Sequence, residues 1–289
     1  MDRSLSTEIV YFSRDKRYDT EKPYTTSFPV DQLEGAKIDN HQFDHVPVTV
    51  HDMRGCFTPN LNTNGFCFVD HPTTLDSRDF DDVQAVTEVY FAELVDMFKK
   101  HFPQYRKISF VDQVVRRRLP DYPAKKGTVV PTSQPFRYAH VDFTEHGALL
   151  KLSTSLTGDV AMRLKEAQNG RCDMINIWRL LNDKPTPDWP LAWCDYDTID
   201  AAKDLIANDV VYPKGLGETL FLRSNPQHKW WYQSGQQPNE VAVFRNVCVG
   251  DSALPRKAPS LAWKIHGMTQ TDHENAFVNS IEVRAAAWY

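Results

Sequence analysis

One pair of residues in this sequence has the types and spacing to hold a metal: His140 and Asp142, in the run His140-Val141-Asp142. The surrounding segment 137–143 reads as a β-strand, and residues two apart on a strand point to the same face. A neutral imidazole and a carboxylate side by side can fill two adjacent positions on a divalent ion. A second histidine from a distant strand would complete a two-histidine, one-carboxylate triad, the set that leaves positions open on Fe(II) for substrate and oxygen. The pair alone carries little. The chain has 10 His and 38 acidic residues, so a His-x-acid pair is expected about once by chance, and it occurs once. Taken alone, it reads better as a structural histidine beside an aspartate.

Other chemistries have no foothold. There is no phosphate-binding GxxxxGK[ST], no GxGxxG after a strand, no GxSxG and no HExxH. The five cysteines, Cys56, Cys67, Cys172, Cys194 and Cys248, are odd in number and widely spread, with no CxxC pair. That argues against a zinc ribbon and a disulfide framework, and for reduced, buried thiols in an intracellular protein. A net charge of −5 gives no basic surface for a nucleic-acid backbone; the cluster Arg116-Arg117-Arg118 lies inside a strand-like run. No apolar stretch approaches the roughly 18 residues of a membrane span, and residues 1–12 lack the apolar core of a signal peptide. A cytoplasmic protein with no membrane or nucleic-acid partner is therefore expected.

The elements that must position the pair are mostly short strands. The segments 45–50, 65–69, 107–118, 173–180, 191–194, 219–223, 230–233, 240–247, 261–266 and 280–288 read as strands, besides 137–143. One strong helix is predicted over 80–101, with Val83, Val86, Tyr90, Phe91, Leu94 and Phe98 at helical spacing and Ser77 or Asp79 as cap. Segments 147–166 and 198–208 are more helical than extended. Residues 13–45 are polar and irregular, and residues 1–45 read as an N-terminal arm wrapping a single domain that spans 1–289. The pattern predicts a mainly β fold with flanking helices, a cupin-like jelly roll with helices on one outer face.

The blocks HDMRG (51–55), VVRRR (114–118), HVD (140–142), INIWR (175–179), PLAWCD (190–195), HKWWY (228–232), NEVAVF (239–244), GDS (250–252) and SIEVR (280–284), in this order, resemble a fungal oxygenase family. It is similar to the aspergillic-acid hydroxylase/desaturase and cephamycin-methoxylation group of Fe(II)/2-oxoglutarate-dependent dioxygenases. The resemblance runs from about residue 11 to residue 288. It implies a double-stranded β-helix in which His140, Asp142 and His266 ligate Fe(II) and 2-oxoglutarate is the cosubstrate. His228 is the rival to His266, although its block looks structural. Family members commonly end Arg-Glu-Ser-Ile-Glu-Val-Arg, and the expected cosubstrate arginine is here Val278. Arg179 or Arg137 could replace it. Arg284 shares the strand parity of position 278 but lies roughly 20 Å further along. Most of Trp178, Trp189, Trp193, Trp230 and Trp231 should be core. If Trp178 and Trp230 face the barrel mouth, they would suit a bulky apolar substrate.

Two functions follow from the resemblance. The chain is a working oxygenase that hydroxylates or desaturates a polycyclic natural product such as a meroterpenoid in fungal secondary metabolism. Alternatively, it is a partly degenerate, non-catalytic subunit supporting a related oxygenase chain. A non-catalytic small-molecule-binding jelly roll is a third class. A dimer is expected, with a related oxygenase chain or with itself.

Overall fold

The computed structural model describes residues 4–123, 130–156, 171–250, 260–262 and 277–289. The strands, in chain order, are β1 (Leu5–Phe12), β2 (Tyr24–Thr26), β3 (Phe43–Asp52), β4 (Phe66–Asp70), β5 (Lys107–Arg117), β6 (His140–Val141), β7 (Cys172–Leu180), β8 (Leu191–Cys194), β9 (Leu205–Tyr212), β10 (Gly215–Leu222), β11 (Trp230–Tyr232), β12 (Glu240–Val249), β13 (Ser260–Ala262) and β14 (Asn279–Trp288). They form two sheets, one ordered β1-β3-β11-β8-β13-β6-β10-β9-β2 and the other β4-β12-β7-β14-β5. The fold is a jelly roll, mainly β with helices on an outer face.

The smaller sheet is buried on both faces, which is why β7, β12 and β14 read as near-continuous apolar runs. One face, with Ile175, Ile177, Val243, Ile281 and Val283, packs against Val86, Tyr90, Leu94, Met97 and Phe98. The other, with Trp178, Leu180, Ala242, Phe244 and Val278, meets Met53, Trp193 and Trp231. Each large apolar side chain buried in these two layers stabilises the fold by about 1.5–3 kcal/mol.

The helix predicted over 80–101 is present in pieces. α1 (Val83–Ala85) passes into a π-helical turn at Val86–Tyr90 and then into α2 (Phe91–His101). Its N-cap is Asp82, whose side chain accepts from the Gln84 N–H, rather than Ser77 or Asp79. The helical reading of 198–208 is corrected. After a 3-10 turn at Tyr196–Thr198 and one short helix at Ala201–Asp204, the chain is strand β9, paired with β10 on one side and β2 on the other. Pairing on both edges outweighs the local helix preference of Ala201-Ala202-Lys203. The N-terminal region adds strands to the large sheet. β1 pairs with β3 over eight residues and buries Ile9 and Tyr11, and β2 extends the far edge of the large sheet.

β6 is only two residues long, and the fold holds it from three sides. β10 pairs antiparallel with it, Ser260 of β13 stands opposite His140, and the Val10 carbonyl accepts from the Ala139 N–H just before it. Beyond Asp142 the chain turns into α3 (Glu145–Ser155), capped by Thr144, whose hydroxyl accepts from the Gly147 N–H. The rest of the helical segment expected to residue 166 lies outside the described residues. α3 lies hard against β10. A Cβ on Gly147 would stand 2.1 Å from the Glu218 carbonyl oxygen. Gly147→Ala is therefore expected to destabilise the fold by about 1–3 kcal/mol, since a backbone oxygen cannot rotate away. Urea unfolding of the variant beside wild type checks this.

Candidate active site

His140 and Asp142 project into the same space, with His140 Nε2 3.2 Å from Asp142 Oδ1. The other imidazole nitrogen settles the tautomer. Nδ1 lies 2.8 Å from the Tyr138 carbonyl oxygen, which can only accept, so Nδ1 carries the proton. Nε2 then presents a lone pair toward a carboxylate oxygen. Two such acceptors repel unless a proton or a metal ion lies between them. Their separation suits two neighbouring ligands on one ion, since bonds of ~2.0–2.2 Å at right angles put donors roughly 3 Å apart. The donor set fits a divalent first-row metal.

The opposite oxygen of Asp142 is held in place. Oδ2 accepts from Asn176 Nδ2 at 2.8 Å, Asn176 Oδ1 accepts from Asn246 Nδ2 at 2.6 Å, and Asn246 Oδ1 accepts from the Asp142 N–H at 3.2 Å. Arg284 Nε stands 3.3 Å from Oδ2. Burial works to raise the Asp142 pKa. The Arg284 charge and the hydrogen bond from Asn176 override it, and the carboxyl is held well below its usual range. Glu282, on β14, goes the other way. Burial, then the nearby charge of Asp142, pushes it above the ordinary glutamate value. One carboxylate of this cluster is thus tuned to stay charged.

Groups that orient a metal ligand typically contribute 10–100-fold in metal affinity. Asn176→Ala is accordingly expected to weaken metal binding by about that factor. The Asp142 carboxylate loses its positioning donor while both ligands remain. Calorimetric titration with Co(II) or Fe(II) reads it.

The pair opens on a cavity of about 1340 Å³ walled by Phe43, Phe136, Tyr138, Phe143 and Tyr212 among others. Phe136 stacks edge-on to His140, with ring centres 4.5 Å apart. These aromatics are absent from the sequence-based list, yet alternation could have found two of them. Phe136, Tyr138, His140 and Asp142 are spaced by two and share the cavity. A second recess, of about 30 Å³, lies beside His140 between Trp178, Val278 and Ser280.

The other expected site residues divide. Trp178 lines the small recess. Trp230 does not reach either space; it is fully buried in a separate cluster and its indole N–H donates to Tyr11 Oη at 2.6 Å. The expectation for Trp230 is corrected: on β11 it alternates with Trp231, and Trp231 takes the inward face. Arg179 is corrected for the same reason. On β7 it has the parity of Ile177 and Ile175, so it points to the helix side. Its guanidinium there donates to Tyr90 Oη and to the Pro238 and His71 carbonyls. Arg137 lines the large cavity beside Tyr138. Arg284 lines it too, committed to Asp142, Glu282 and Asp112 at 3.3–3.5 Å.

His266, expected as the third ligand, lies outside the described residues. Among the described residues no group of three or more His, Cys, Asp or Glu could hold a metal. The rival His228 is built into the fold. Its ring meets Asp204 Oδ2 at 3.1 Å and Tyr11 Oη at 3.3 Å, on the Tyr11–Trp230 side. No described helix is long and apolar enough to cross a membrane.

A jelly roll with a strand-borne His-x-Asp pair beside a large cavity matches known proteins over nearly its whole length. The chain belongs to the family described as "Oxidoreductase/YMDC permease-like domain", whose profile matches residues 9–288. It is 30% identical over 272 residues to the hydroxylase/desaturase efuI of Hormonema carpetanum, covering 86% of this chain and 85% of the relative. It is 33% identical over 204 residues to the Fe(II)/2-oxoglutarate-dependent dioxygenase nvfI of Aspergillus novofumigatus, covering 69% of this chain and 68% of the relative. The structure of the iron and alpha-ketoglutarate-dependent endoperoxidase NvfI superposes with a TM-score of 0.79 at 26% identity, covering 99% of this chain and 98% of that one. Its relatives are therefore fungal iron- and 2-oxoglutarate-dependent oxygenases. The narrower aspergillic-acid and cephamycin names stay a resemblance.

Proposed function

We propose that this chain is an Fe(II)- and 2-oxoglutarate-dependent oxygenase that hydroxylates or desaturates a polycyclic, largely apolar natural product such as a meroterpenoid. One observation carries the reading. His140 Nε2, freed by the Tyr138 carbonyl, faces Asp142 Oδ1 at 3.2 Å on the wall of the 1340 Å³ cavity. His140 and Asp142 would hold the iron, with His266 as expected third ligand. The iron, bound together with 2-oxoglutarate and oxygen, supplies the oxidising chemistry that acts on an unactivated C–H bond.

The protein's own groups do the rest. Tyr138 fixes the imidazole, and Asn176 and Arg284 keep Asp142 ionised and in place. The aromatic walls exclude water and offer flat apolar faces to a ring system. Trp178, in the recess, is placed to touch whatever occupies the far side of His140. In turnover, succinate release should be stimulated by the substrate, and the product should gain one oxygen or lose two hydrogens. Mass spectrometry after incubation with candidate terpenoid or polyketide substrates tests this.

A second reading is favoured by Val278. Where the resemblance expects an arginine the recess has an apolar wall, as in a chain that supports a related catalytic oxygenase. A dimer with that chain or with itself, burying more than about 1,600 Å², belongs to the proposal. A light-scattering monomer that consumes 2-oxoglutarate alone would remove both.

A further inference from the structure

We propose that Arg116, on β5, receives the distal carboxylate of 2-oxoglutarate in this chain; the assignment rests on the cosubstrate reading above. A 2-oxo diacid chelated beside His140 and Asp142 extends its second carboxylate away from the metal. Out of bulk water that carboxylate needs a charged partner. The small recess is placed to take it. At about 30 Å³ it has room for a water or the end of a small ligand. Among the described residues, Arg116 is the one arginine or lysine lining it, and Glu282 lines it too. Arg116 and His140 also line the large cavity, so the two spaces meet at them.

The strand register explains how an arginine on β5 can serve. Ser280 of β14 stands directly opposite Arg116. Directly opposed residues put their side chains on one face, with Cβ atoms ~4.5–5.5 Å apart. A guanidinium from β5 and a hydroxyl from β14 therefore approach one point, one diagonal step from Val278. The neighbouring strand carries the donor that position 278 lacks.

Among the described residues, several nearby cations are committed elsewhere, and Arg137 lines the large cavity but not the recess. Arg118 pairs with Asp188 at 2.6 Å, Lys151 pairs with Asp112 at 2.8 Å, Arg284 serves three carboxylates, and Arg179 faces away. Arg116 donates through Nη1 to the Gln134 carbonyl at 2.8 Å, which fixes the guanidinium. Its nearest carboxylate, Glu282, is 3.9 Å from Nη2, beyond hydrogen-bond reach, and Arg284 stands closer to that carboxylate at 3.5 Å. An incoming carboxylate at hydrogen-bond distance therefore competes with a long ion pair to Glu282 and not with a hydrogen-bonded one.

The test compares two chelators on the purified full chain loaded anaerobically with Fe(II). 2-Oxoglutarate and 2-oxopentanoate share the 2-oxo acid end and differ only in ending on a carboxylate or a methyl group. Binding is read from the visible metal-to-ligand charge-transfer band and by calorimetry. Wild type should prefer 2-oxoglutarate by about tenfold or more, the size of one charge-assisted contact. Arg116→Gln should erase that preference while leaving 2-oxopentanoate and Fe(II) affinities unchanged. Arg116→Lys, which keeps the charge but not the fork, should retain part of it. A preference surviving in Arg116→Gln, or an equal loss for both acids, would overturn the assignment. A wild type that holds Fe(II) but binds neither acid would overturn the cosubstrate reading itself, and the arginine's role with it.

Discussion

His140→Ala is expected to cost this protein its metal. The imidazole offers Nε2 as a ligand because the Tyr138 carbonyl holds the proton on Nδ1, and alanine removes the donor outright. Loss of a ligand should exceed the 10–100-fold seen when only an orienting group is lost. His228→Ala makes the contrast. Its ring is packed between Tyr11 and Asp204, so that variant should lose stability and keep its affinity for Fe(II). Calorimetric titration of both variants separates the two histidines. Unchanged affinity in His140→Ala would remove the metal assignment.

The largest effect on stability is expected away from the metal. Asp173, at the start of β7, is fully buried. Its Oδ2 accepts from Arg245 Nε at 2.8 Å, Tyr105 Oη at 2.6 Å and Tyr289 Oη at 2.8 Å. Arg245 is equally buried and also donates to the Leu61 carbonyl and Asn62 Oδ1. Asp173→Ala leaves that guanidinium without its counter-charge in a site closed to water. Breaking one side of a buried pair costs about 3–5 kcal/mol. The network ties β7, β12 and the C-terminal end of β14 together, three residues before Asn176. Guanidinium chloride unfolding should show the loss as a lower midpoint at unchanged slope. A variant within about 0.5 kcal/mol of wild type, the size of an ordinary surface change, would contradict this role for Asp173.

His140 and Asp142 are legible in the sequence because strand alternation is local. Two residues on one face can be read without knowing the rest of the fold. Most strands are legible for the same reason, β8 to the residue. What escapes is set by pairing between distant segments. β9 looks helical until β2 and β10 are seen on its two edges. Arg179 and Trp230 are misassigned because the parity of a strand does not say which face is inward. For β7, buried on both sides, each parity is apolar. Arg116 is the converse case. Its recess exists only through the register that puts it opposite Ser280, more than 160 positions away in the chain. The resemblance reaches the family, names His140 and Asp142 as the expected pair and flags Val278, but only the register points to where another cation stands.

The most direct test of the account is the visible spectrum of the purified chain under anaerobic conditions, with Fe(II) and then 2-oxoglutarate added. A charge-transfer band is expected only when both are present, and it should be absent in His140→Ala. No band in the wild type, or the same band in His140→Ala, would contradict it.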